Sequence, residues 1–261
     1  MTESVLRRDD GAVVTITINR PEARNALTTQ TKVALLQALR DCGADENVRA
    51  VVLTGAGQAF CAGQDLREHA DLLQSGGAPL ETVRQHYNPM IETITAMPKP
   101  VIAALPGVAA GAGASLAFAC DFRIGAERAS ILLAFARVGL GADSGASWTL
   151  QRLVGPARAA ELLMLAEPVD SQMAHRLGLL TAVVPDDRLA AAAAELAAKL
   201  AAGPTLAYAA IKESLLYGAS HRLTESLEKE AELQIRLGQT EDHRAATLAF
   251  VTKQTPTYLG R

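Results

Sequence analysis

Two periodicities alternate along the first two thirds of the chain. Val13–Ile18 reads V-V-T-I-T-I, β-branched throughout, and Asn19-Arg20-Pro21 follows as a stop, so this segment is predicted to be a strand. Residues 48–54 are apolar at nearly every position, the pattern of a strand covered on both faces. Val101–Leu105, entered through Pro98-Lys99-Pro100, reads as a third strand and residues 121–124 as a short fourth. Between them the period changes to helical. Val33, Leu35, Leu36 and Leu39 recur on one face of residues 28–39, with Thr28 or Thr29 available as an N-cap. Residues 81–97 read as one helix kinked at Pro89. A small-residue run over 108–114 leads into a helix ending at Ala119, and a further helix is expected over 144–153. Residues 55–63 read as a small-residue loop, and 74–79 as a polar connector. Beyond about residue 185 the pattern is helical only: 187–202, 204–217 and 222–250, with Gly203-Pro204 as punctuation. The expectation is an α/β core over residues 1–185 and a helical region over 186–261.

Composition narrows the class. The 261 residues include 50 alanines but only 10 aromatics, which favours close-packed helices over a β-sandwich. A net charge of −3 leaves no basic field for nucleic acid, so an anionic ligand must be met by local cations or by backbone dipoles. Cys42, Cys61 and Cys120 form no CxxC pair, and a disulfide framework, a zinc site or any other metal site is not expected. The charged start, residues 1–10, lacks the apolar stretch of a signal peptide, and no long uninterrupted apolar run suggests a membrane span. A cytoplasmic location is the resulting expectation.

Chemistry concentrates in two loops, each between a strand and a helix: Phe60-Cys61-Ala62-Gly63-Gln64-Asp65-Leu66 and Gly107-Val108-Ala109-Ala110-Gly111-Ala112-Gly113. Such junctions leave main-chain N–H groups free, and two side by side would hold a developing oxyanion. Close packing of small residues is the competing explanation for either loop alone. Neither loop has the Walker A ending, and the second is not G-x-G-x-x-G. Asp143, ahead of the 144–153 helix, reads on residue type alone first as an N-cap and second as a catalytic acid. The five histidines show no metal-binding spacing, and no serine sits in G-x-S-x-G.

Taken in order, Asn19-Arg20-Pro21-Glu22-Ala23-Arg24-Asn25-Ala26-Leu27, Val51-Val52-Leu53-Thr54-Gly55, the Phe60–Leu66 loop, residues 98–104 and the Gly107–Gly113 loop resemble the crotonase (enoyl-CoA hydratase/isomerase) superfamily over nearly the whole chain. The resemblance implies an α/β spiral of ββα units with a C-terminal helical region used in trimerisation, as a homotrimer or a dimer of trimers. It implies an acyl-CoA thioester as substrate and no separate cofactor, coenzyme A entering with the substrate. By motif position the oxyanion donors are the main-chain N–H groups of Gln64 and Ala112, where Ala112 replaces the middle glycine of the usual triple. Arg24, Ala62, Asp65 and Leu66 are expected along the coenzyme A channel, and Phe250 and Lys253 at coenzyme A, commonly from a neighbouring subunit.

The same resemblance bears on the reaction. Hydratases of this superfamily use two glutamates, where this chain has Ser115 and Phe135. Neither can move a proton at neutral pH, so hydration by that route is not expected. Asp143 then becomes the expected single catalytic carboxylate. Tyr87-Asn88-Pro89 and Gly139-Leu140-Gly141-Ala142-Asp143-Ser144-Gly145 resemble the ring 1,2-epoxyphenylacetyl-CoA isomerases, several of which also shift Δ3 double bonds to Δ2. The alternatives are a 4-chlorobenzoyl-CoA dehalogenase-like or thioester-hydrolysing enzyme with Asp143 as nucleophile, an atypical hydratase, and a non-catalytic acyl-CoA binder.

Overall fold

The computed structural model describes residues 3–261; Met1 and Thr2, part of the charged start, lie outside it. The chain runs β1 (Val5–Asp10), β2 (Val13–Ile18), α1 (Thr29–Ala44), β3 (Ala50–Gly55), β4 (Ala59–Cys61), α2 (Leu66–Gln74), α3 (Asn88–Ala96), β5 (Val101–Leu105), β6 (Val108–Ala110), α4 (Ala112–Ala119), β7 (Phe122–Ala126), β8 (Ser130–Leu132), α5 (Ala146–Val154), α6 (Pro156–Leu165), β9 (Val169–Asp170), α7 (Ser171–Arg176) and β10 (Ala182–Val184). Four helices close it: α8 (Leu189–Ala201), α9 (Thr205–Gly218), α10 (Leu223–Gly238) and α11 (Glu241–Thr252).

Among the described residues two sheets form. One has six strands in the order β1-β2-β3-β5-β7-β10, and the other has four in the order β4-β6-β8-β9. Successive strands go to different sheets: β3 then β4, β5 then β6, β7 then β8, with helix between the pairs. This is the spiral of ββα units. All pairings are parallel except β1 with β2 and β8 with β9.

Period-two alternation explains why the central strands read as unbroken apolar runs. Val51 and Leu53 of β3 face one core, with Val101, Ala103 and Leu105 of β5. Ala50 and Val52 face the other, with Ile102, Ala104, Ile124 and Ala126, under Leu189, Ala193, Ala197 and Leu200 of α8. Each fully buried aliphatic side chain contributes about 1.5–3 kcal/mol. By packing, α8 therefore goes with the sheet. Helix α9 packs against α10, and α10 against α11.

Several elements differ from the sequence expectation: α2, β6, β8, α6, β9, α7 and β10 are additions to it, and four further places differ as follows. Strand β1 (V-L-R-R-D-D) is an edge strand, largely exposed, and carries no apolar alternation to read. Residues 55–63 contain β4, whose three residues are too few to show a period. The 81–97 segment is not one kinked helix. A 3-10 turn, Pro79–Glu81, and a π turn, Val83–Tyr87, precede α3, and the Asn88 N–H donates to Val83 O. The expected 222–250 helix breaks after Gly238, and Thr240 restarts it by accepting from the His243 N–H at 3.1 Å.

Candidate active site

The Asn19–Leu27 motif acts as a splint for the loop that follows β4. Asn25 is fully buried at φ +58°. Its amide donates to Ala56 O and Ala59 O at 2.9 and 2.7 Å, and its Oδ1 accepts from the Arg20 N–H at 2.9 Å. The splint then zips to the loop. The Ala62 N–H donates to Arg24 O at 3.0 Å, the Leu27 N–H to Gly63 O at 2.7 Å, and the Asp65 N–H to Leu27 O at 3.1 Å. A parallel bridge of this kind uses the groups on either side of Gln64 and leaves the Gln64 N–H pointing away from it.

The second loop is pressed against the first. Gly63 sits at φ +86°, and a Cβ there would meet Ala110 O at 2.7 Å and the Ala112 nitrogen at 3.3 Å. A Cβ on Gly113 would meet Cys61 O at 2.2 Å, so only glycine admits this approach. Ala112 is the first residue of α4, and the N-cap Gly111 has no side chain to offer. Among the described residues, neither the Gln64 nor the Ala112 N–H has a main-chain acceptor. Two free amides therefore lie side by side, one at the positive end of a helix.

A carboxylate sits just before α5, the helix that packs against α4. Asp143 is not the cap of α5: that position belongs to Gly145, and Asp143 uses only its main-chain carbonyl, accepting from the Ala146 N–H at 2.9 Å. Its carboxylate is left for other work. Burial pushes its pKa up, and a 2.8 Å hydrogen bond donated by Ser144 pulls the other way. Tyr87 reaches the first loop. Its hydroxyl donates to Gln64 Oε1 at 2.5 Å. Burial above all, then Cys61 and the charge of Asp143, raise the phenol's pKa, so it remains a donor at neutral pH. Lys32 on α1 donates to the same Gln64 oxygen at 3.0 Å.

The two positions where the resemblance expects a hydratase's glutamates carry nothing to titrate. Ser115 is fully buried and donates back to Gly111 O at 3.2 Å, and Phe135 is buried in the main core. Asp65 is committed too. It caps α2 by accepting from the Arg67 and Glu68 N–H groups and pairs with Arg20 at 2.8 Å. Burial works against its charge, but those donors outweigh it and hold the carboxyl below the usual range. Arg24 and Leu66 are exposed, and Ala62 is half-buried. Phe250 is 85% exposed on α11, and Lys253 ends that helix. Among the described residues, neither is hydrogen-bonded to the two loops. Cys61 supports the first loop through its sulfur, which accepts from the Gly63 N–H at 3.4 Å; burial pushes its thiol pKa up to about 12, so it stays protonated. Among the described residues no cluster of metal-ligating side chains occurs, and no helix is long and apolar enough to cross a membrane.

Lys32 and Asn25 were not singled out by the sequence reading. A lysine on an amphipathic helix reads as solvated, and only the fold shows that this one is 1% exposed.

A ββα spiral with paired free amides at its strand–helix junctions defines a crotonase-fold protein. The enoyl-CoA hydratase/isomerase profile matches residues 8–261, and the chain belongs to that family. It is 37% identical to 1,2-epoxyphenylacetyl-CoA isomerase of Escherichia coli (strain K12), over 100% of both chains. It is 43% identical, over 94% of both chains, to a protein named "Probable enoyl-CoA hydratase" of Rhodobacter capsulatus. The solved structure of enoyl-CoA hydratase from Bacillus anthracis superposes with a TM-score of 0.90 at 34% identity, covering 99% of this chain and 100% of that one.

Proposed function

We propose that this protein is an acyl-CoA isomerase that works through an enolate and one carboxylate, shifting a Δ3 double bond to Δ2 or rearranging a ring epoxide. Asp143 takes a proton from the carbon next to the thioester carbonyl. The electron pair moves onto the carbonyl oxygen, where the Gln64 and Ala112 N–H groups hold the charge. Collapse of the extended enolate moves the double bond into conjugation, and the same carboxyl returns the proton two carbons further on. Each donor contributes about 3 kcal/mol to such a transition state.

The observation that carries this reading is the desolvated carboxylate of Asp143, placed just before the helix that packs against α4, while Ser115 and Phe135 supply no second acid. A hydratase needs an acid and a base on one water, whereas an isomerase needs one group used twice. Raising the carboxyl pKa suits it to both halves of that task.

Coenzyme A would run past Arg24, Ala62, Asp65 and Leu66, with Phe250 and Lys253 reaching it from a neighbouring copy in a homotrimer or a dimer of trimers. The exposed Leu215, Leu223, Ile235, Leu248 and Phe250 of the C-terminal helices support assembly of that kind. The deciding assay is a panel of Δ3-enoyl, Δ2-enoyl, epoxyphenylacetyl and chlorobenzoyl thioesters in D2O. Isomerised product from the first or third, with no covalent adduct on Asp143 by mass spectrometry, supports the reading. An aspartyl adduct would move Asp143 to a nucleophile's role, and hydration of the Δ2-enoyl thioester alone would restore the hydratase reading.

A further inference from the structure

Lys32 is an expensive residue to place where it is. An ammonium at 1% exposure loses its hydration, and a Met or Leu would fill the same volume without that loss. Burial lowers its pKa, partly offset by Glu68 and Asp65. Among the described residues it makes no ion pair, and its hydrogen-bonded partners are Gln64 Oε1 at 3.0 Å and Thr82 Oγ1 at 2.6 Å.

The donor roles in this cluster are set by chemistry. An ammonium has no lone pair, so both oxygens must accept from it. Gln64 therefore presents its oxygen to Lys32, and Tyr87 donates to that same oxygen at 2.5 Å. Thr82 Oγ1 also lies 3.0 Å from His86 Nδ1, which extends the polar cluster by one residue. The ammonium also sits over the Tyr87 ring, 5.3 Å from its centre.

Gln64 is thus held from both ends. Its main chain is flanked by bonds to residues 24–27, and its side-chain oxygen is gripped by donors from α1 and from the π turn before α3. With both ends fixed, the peptide plane between Gly63 and Gln64 has little freedom to rotate. We infer that Lys32 and Tyr87 are positioning residues, clamping Gln64 Oε1 so that the Gln64 main-chain N–H stays aimed at the substrate's thioester oxygen. This rests on the proposed role of that N–H, and it adds the residues that hold the donor in line.

The test uses butyryl-CoA labelled with 13C at the thioester carbonyl, a probe with no double bond to move. Difference infrared spectroscopy reads how far the bound carbonyl stretch falls below its value in water. Titration gives Kd, and turnover is measured separately on a Δ3-enoyl-CoA. Lys32→Met and Tyr87→Phe should each lose most of the stretch shift and lower kcat roughly 10- to 100-fold, with Kd nearly unchanged. Gln64→Ala, which keeps the main-chain N–H but loses Oε1, should do the same. Lys32→Met added to Gln64→Ala should then cost nothing more. Lys32→Arg should restore part of the shift. If Lys32→Met fails to fold, Tyr87→Phe and Gln64→Ala carry the test. A stretch as polarised in the variants as in the parent overturns the inference while leaving the donor assignment standing. A parent that binds no thioester overturns both.

Discussion

Ser144 donates its hydroxyl to Asp143 Oδ1 at 2.8 Å from a left-handed backbone, φ +52°, with its own side chain buried. A hydrogen bond to the charged form of an acid lowers its pKa, so Ser144 restrains the rise that burial imposes on Asp143.

Removing that bond should therefore move the acid limb of the rate profile upward. In the parent, kcat/KM for a Δ3-enoyl-CoA should fall with decreasing pH at a value above the ordinary carboxylate pKa near 4. In Ser144→Ala the fall should begin at a still higher pH. A limb that does not move would show that Asp143 is not the titrating base.

Ala112 offers a clean separation of folding from function. It is the first residue of α4, where proline is well tolerated because that N–H has no helical partner. Ala112→Pro should keep the melting temperature within a few degrees, yet lower kcat about 100- to 1000-fold by deleting one oxyanion donor. Ala112→Gly, which keeps the donor, should stay close to the parent. Equal activity in all three would remove Ala112 from the mechanism.

Lys99 should behave in the opposite way. It is 4% exposed and donates to Cys42 O and Asp45 O at 2.9 and 2.7 Å, closing the last turn of α1. Lys99→Met should cost about 1–3 kcal/mol for each carbonyl left without a donor, read from urea denaturation. Turnover per folded molecule should not change.

Much of the frame was legible because burial imposes a period. Strands β3 and β5 announce themselves through apolar runs, since two cores need both of their faces, and β2 through its β-branched alternation. Strands β4, β6, β8 and β9 have two or three residues each, shorter than one readable period. The loops around Gln64 and Ala112 were legible because close approach demands small residues, as Gly63 and Gly113 show. The clamp on Gln64 was not. Lys32 and Tyr87 lie 55 positions apart in sequence, and nothing local distinguishes a lysine that turns inward from one that snorkels to water.

Desolvation of Asp143 also has a stability sign. Its folded pKa is raised above the unfolded value, so folding is favoured while it is protonated, and that advantage is lost as pH rises through the folded pKa. Asp143→Asn should consequently melt higher than the parent at pH 7, with the gain shrinking toward pH 4. A variant that melts lower at pH 7 would contradict a desolvated carboxylate.

The most direct measurement is Asp143→Asn turning over a Δ3-enoyl-CoA in D2O, with product deuteration followed by mass spectrometry. A single acid that removes and returns the proton predicts that isomerisation and solvent exchange both vanish while butyryl-CoA still binds. Isomerised or exchanged product at the parent's rate would mean that another group moves the proton.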